Sequence, residues 1–160
     1  MERFFKYTLT ILISTVAAMQ FYQVVMRYIL EIPVMGLEET MVYPTLWLYF
    51  LGSVNASRED TQIKANVLDV FLKTDRARLI VRVMADTMSV VVSSWLTYWS
   101  YEYFRYALRV WKESPTLYIP TFYAECSVFI GLVMMTAYAA FFLVKNFRKL
   151  TSSQQAEQGA

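Results

Sequence analysis

The side chains with the most chemical capacity here are a few charges at the ends of long uncharged runs. Glu38 and Glu39 stand side by side before the uncharged run Thr40–Ser57, and Arg27 lies near the end of the run before it. Asp86 and Glu125 each lie near the start of a later run. Carboxylates so placed suit ion coupling, subunit contact, or a helix N-terminus, where each is worth about 0.3–1 kcal/mol. A sodium site needs several oxygen ligands and often broken helices, and no pair of broken helices is visible. Asp86 follows Arg82 by four residues, a spacing at which two side chains meet on one helix face. Structural pairing or a subunit contact is therefore the expectation for Asp86. Arg27 either snorkels to the headgroups or pairs with Glu38 or Glu39 across a short link. The chain has no histidine and one cysteine, Cys126. That excludes an internal disulfide, a multi-cysteine metal site, bis-histidine haem, most zinc catalysis and Ser-His chemistry. No nucleophile–base constellation is present. We therefore expect no enzyme, no cofactor, and no catalytic, metal or substrate-binding residue.

The elements that must position these charges are membrane helices. The 160 residues are 57% hydrophobic and 18% charged, with a mean hydropathy of +0.35. Soluble domains are nearer half apolar and a quarter charged. The apolar residues fall in four blocks, so the expected fold is an all-α integral membrane bundle in residues 1–150. Its crossings lie at about 7–30, 40–57, 83–104 and 121–144. The 18 uncharged residues Thr40–Ser57 would rise roughly 27 Å as a helix, close to a bilayer's hydrocarbon thickness. The first run continues into bulky FYQVVMRYIL, which reads as a retained helix and not a cleaved leader. Pro33 and Gly36 mark a turn before the second helix, in which Pro44 should bend the axis. In the charged segment Arg58–Arg82, Ile63, Val67 and Val70/Phe71 repeat at helical spacing, predicting a short interfacial helix. The third helix should run on through EYFRYALRVW. Residues 151–160 are polar and expected to be a disordered tail.

Basic residues orient the bundle. Eleven lie at the N-terminus, between helices two and three, and at the C-terminus, against four on the other side. Lys and Arg are retained on the cytoplasmic side, predicting an N-in, C-in topology. A net charge of +2 gives no reason to expect nucleic acid. Trp47, Tyr49 and Phe50 lie mid-helix and not at an interfacial belt, which suits packing against a partner. Gly52, with Ser53 and Ala56, offers a small-residue patch for close helix approach.

Four stretches, in order along the chain, resemble one family. They are QVVMRYIL (Gln23–Leu30), LEETMVYPTLWLYFLGS, REDTQIKANVLDVFL and SPTLYIP (Ser114–Pro120). They resemble the end of helix one, the acidic pair with its aromatic run, the charged loop, and the Pro-containing link of DctQ-like proteins. These are the small membrane subunits of tripartite ATP-independent periplasmic (TRAP) transporters. Where that family often has Arg-Tyr after the acidic pair, this chain has Val42-Tyr43-Pro44. Where it often has a loop histidine, this chain has Thr61-Gln62.

The resemblance implies a multi-pass protein of a bacterial inner membrane, packed in lipid against a large membrane subunit. That subunit carries an organic acid inward on a sodium gradient, after a periplasmic solute-binding protein has captured it. The small chain would be a non-catalytic brace that helps form the docking surface. Candidate subunit or receptor contacts are Arg27, Glu38, Glu39, Trp47, Phe50, Gly52, Asp86, Pro115 and Pro120. The alternative is a self-sufficient small transporter or channel made of oligomers. Against it, no crossing has a charge near its midplane, where a coupled carrier needs one.

Overall fold

The computed structural model describes residues 2–32, 35–59 and 75–158. Its described residues form four helices: α1 (Glu2–Tyr28), α2 (Leu37–Arg58), α3 (Asp75–Val110) and α4 (Phe122–Gln158). Each expected crossing overlaps one of them. The interfacial helix expected around Ile63–Phe71 and the turn residue Pro33 lie outside the described residues. Among the described residues three helices are long and apolar enough to cross a membrane, over Arg3–Tyr28, Ala77–Val110 and Phe122–Thr151. Helix α2 is shorter, with 22 residues and charges at both ends. The 34 residues of Ala77–Val110 rise about 51 Å at 1.5 Å each, well beyond a hydrocarbon core of about 30 Å. So α3 either tilts or projects, as its aromatic, Arg-containing C-terminal end suggests.

The four apolar blocks locate the helices of the bundle but not their order in space. α1 packs on α2, α2 on α4, and α4 on α3, so the helices stand in an open row, α1–α2–α4–α3. Lipid is as apolar as a leucine side chain, so hydrophobic burial gives no drive to close the ring. Contacts form where polar groups or shape reward them.

At the α3–α4 seam, Ser93, Thr97, Ser100, Phe104 and Ala107 recur at helical spacing, with Ser100 and Ala107 buried. The Thr97 and Thr136 hydroxyls meet at 2.9 Å, and Phe104 stacks on Phe129 with ring centroids 5.0 Å apart. Trp111 stacks on Phe122 at 5.4 Å. At the α2–α4 seam Val54 is fully buried, and Phe50 lies where a Cβ on Gly131 would point. Helix α4 continues to Gln158, into the stretch expected to be a disordered tail. Gln and Ala there are good helix formers and no proline or glycine interrupts before Gly159, so the helix simply propagates.

Candidate functional site

Helix α2 begins at Gly36, whose φ of 84° is left-handed. A Cβ there would lie 2.8 Å from Leu117 Cγ, so glycine suits both the backbone angle and the close approach. From that start, Glu39, Tyr43 and Trp47 follow at four-residue steps and share one face. All three bond to the 112–123 segment. The Ser114 hydroxyl donates to Glu39 Oε2, the Thr116 hydroxyl donates to Oε1 at 2.7 Å, and the Thr116 and Leu117 amides donate at 3.2 and 3.3 Å. The Tyr43 hydroxyl reaches the Ile119 and Pro120 carbonyls at 3.2 and 3.3 Å. Trp47 Nε1–H donates to the Tyr123 carbonyl at 3.0 Å.

The link so held is ordered in itself. Glu113 and Pro120 form an antiparallel bridge, with the Ser114 amide on the Ile119 carbonyl and the Thr121 amide on the Lys112 carbonyl, both at 2.9 Å. Trp111 and Tyr118 hold left-handed φ angles of 46° and 55°. Such conformations cost non-glycine residues about 1–2 kcal/mol each and persist only where surroundings over-determine them. The bridge and the α2 bonds are those surroundings. Glu39 stands just outside the expected crossing, and the Ser114 hydroxyl, then the Thr116 hydroxyl, hold its carboxyl below the usual carboxylate range. Partial desolvation opposes them and the two backbone amides add to them.

The other acid of the pair faces elsewhere. Glu38 accepts from Gln23 Nε2 at 2.8 Å and lies 3.9 Å from Arg27, with side chains 72% and 64% exposed. Of the two readings for Arg27 the structure shows the pairing, with Glu38 and not Glu39. So exposed a pair is worth about 0–1 kcal/mol.

The DctQ component of tripartite ATP-independent periplasmic transporters is matched over residues 16–149. The chain belongs to the DctQ family. No curated protein matches it. The matched residues include α2, α3, the clamped link, the C-terminal half of α1 and most of α4, and DctQ is a transporter component and not a catalytic family. Among the described residues no three of Cys, Asp or Glu gather where a metal ion could be held.

The DctQ chain places its remaining candidate residues as follows. Asp86 on α3 accepts from Asn146 Nδ2 on α4 at 2.6 Å, and Asn146 is 7% exposed. This is a bond between helices, beyond the local Arg82 spacing that drew attention to Asp86. Trp47 and Phe50 turn toward the chain's own link and α4. Pro120 supplies a carbonyl to Tyr43 and one side of the bridge, while Pro115 is exposed in the turn. Gly52 has open space around it, with nothing within 4 Å of an added Cβ.

Sequence reasoning missed Tyr43, Ser114 and Thr116 as partners in the clamp, and Gln23 and Asn146 as partners of the acids. The one available signal was Tyr43 and Trp47 in helical register with Glu39.

Proposed function

We propose that this DctQ chain is a non-catalytic brace for the large membrane subunit of a TRAP transporter. That system would take up an organic acid on a sodium gradient, after a periplasmic solute-binding protein delivers it. The observation that carries this reading is the open row of helices with its unpartnered flanks. In α1 and α3, no residue of the most apolar 18-residue stretch is buried inside the chain. On α3, Met88, Trp95, Tyr98 and Trp99 are all more than half exposed. On α2, Gly52 offers open space beside exposed Tyr49 and Ser53. Aromatic rings beside small residues suit close packing against further helices, which in lipid is the main drive for association.

In this reading α2 also crosses the inner membrane, giving four crossings with both termini cytoplasmic, and the clamped link faces the periplasm. Glu38, Glu39, Arg27, Pro115 and Pro120 then lie on the periplasmic side, where the binding protein and large subunit meet this chain. Asp86 fastens α3 to α4 and coordinates no ion.

The test is co-purification with the large subunit, paired with transport. Gly52→Leu should lose the large subunit while the chain itself still folds. The wild-type chain alone in proteoliposomes should move no substrate. Sodium-driven uptake by this chain alone would overturn the proposal.

A further inference from the structure

A pocket opens between the first turns of α1 and the last turns of α2, lined by Lys6, Leu9, Thr10, Asn55, Arg58 and Glu59. Arg58 is fixed in its wall. Its guanidinium carbon lies 5.3 Å from the Phe5 ring centroid, Nη2 bonds Glu59 Oε1 at 3.0 Å, and the side chain is only 14% exposed. The amide of Asn55 reaches the same Glu59 oxygen at 3.2 Å. Among the described residues, Arg58 Nε is buried with no hydrogen-bond partner. Buried donors are nearly always satisfied, so this orphan leaves the Arg58 guanidinium under-bonded at the pocket wall. Lys6, exposed on the rim, adds a second cation, so Lys6 and Arg58 outweigh Glu59 by one charge. The Thr10 hydroxyl spends its proton on the Lys6 carbonyl at 2.7 Å.

We propose that Lys6 and Arg58 hold the phosphodiester headgroup of an anionic phospholipid. Such a headgroup carries one negative charge and several acceptor oxygens, which answers the charge excess and offers charge-assisted bonds to the Lys6 ammonium and the Arg58 guanidinium. Basic pockets between helices at the membrane boundary take anionic headgroups of this kind. The pocket is amphipathic in the matching sense: Leu9 lines it, and exposed Ile13, one turn on along the same face of α1, continues an apolar track for an acyl chain. A free phosphate would use the cations and leave that track unused.

The experiment is native mass spectrometry of the full chain in mild detergent, supplied with equal phosphatidylglycerol and phosphatidylethanolamine. The wild type should retain phosphatidylglycerol preferentially. Lys6→Gln and Arg58→Gln should each lower that retention about fivefold, the value of one cation near an anionic headgroup. Lys145→Gln, at the end of α4, should leave it unchanged. If Arg58→Gln does not fold, Lys6→Gln decides alone, since Lys6 is an exposed helix-surface residue. Equal retention of the two lipids, an equal loss with Lys145→Gln, or displacement of the lipid by millimolar inorganic phosphate would each overturn the proposal.

Discussion

Gly131→Ala tests whether α2 and α4 pack as closely as the structure has them. A Cβ at Gly131 would lie 2.7 Å from Phe50 Cβ and 2.8 Å from Cδ1, against 3.4–4 Å for ordinary contact. Phe50 Cβ is fixed to its backbone, so a rotamer change cannot relieve the clash. Helix α2 must back away by at least 0.7 Å, the gap between 2.7 and 3.4 Å. That retreat would stretch the Trp47 and Tyr43 bonds on the same face. Overpacking of this kind costs about 1–3 kcal/mol, and alanine returns about 0.5–1 kcal/mol of helix preference. The central net loss is about 1 kcal/mol, or a Tm lower by about 2–4 °C for a domain of this size. Gly52→Ala is the matched control, because nothing lies within 4 Å of its added Cβ. In the isolated chain it should hold or slightly raise Tm. Thermal unfolding of both variants in detergent, followed by tryptophan fluorescence, decides the matter. A Gly131→Ala chain as stable as wild type, or a Gly52→Ala chain that loses as much, would refute the packing described for this seam.

Glu39 should make the link pH-sensitive. Its lowered pKa means its contribution is full at neutral pH and is lost as pH falls from the ordinary carboxyl value of 4.5 through its own lower one. The protection factors of the Thr116 and Leu117 amides, each rate taken against the intrinsic rate at the same pH, should therefore fall in acid, and in Glu39→Gln they should be low throughout; pH-independent protection in the wild type would contradict this. Met35→Cys, in a Cys126→Ser background, should label from the periplasmic side, since Met35 is 81% exposed and has none of the strain that a substitution at Gly36 would meet. Cytoplasmic labelling would invert the topology. Asp86→Asn should cost about 1 kcal/mol of stability by weakening a charged bond to Asn146, while leaving the sodium dependence of transport unchanged. A changed sodium Hill coefficient in an intact complex would make Asp86 an ion ligand.

The helices were legible because their signal is local: long uncharged runs with charges gathered at their ends. Arg27 with Glu38 was legible for the same reason, since a short hairpin brings its two ends together. The clamp was not, because Glu39 and Ser114 are 75 residues apart and hydroxyl or amide donors leave no periodic trace. Asp86 shows the bias plainly: the sequence offers Arg82 four residues away, whereas the geometry adds Asn146, 60 residues on. Hydropathy gives the number of apolar runs but not their neighbours, so the open row was invisible where a bundle was the simpler expectation. The helical stretch 151–158 was read from polarity, which tracks solvation more closely than backbone conformation.

The clamp also sets an order of events during synthesis. Glu39, Tyr43 and Trp47 are made and inserted with α2, but their partners begin 75 residues later at Ser114. At about 5–20 residues per second, the ribosome takes roughly 4–15 s to supply them. Through that interval the shortest of the four helices, with a proline as its eighth residue, leans on α1 alone among the described helices. A nascent chain that stops before the link should thus leave α2 the most readily expelled of its segments, and completion of the last hairpin is what retains it.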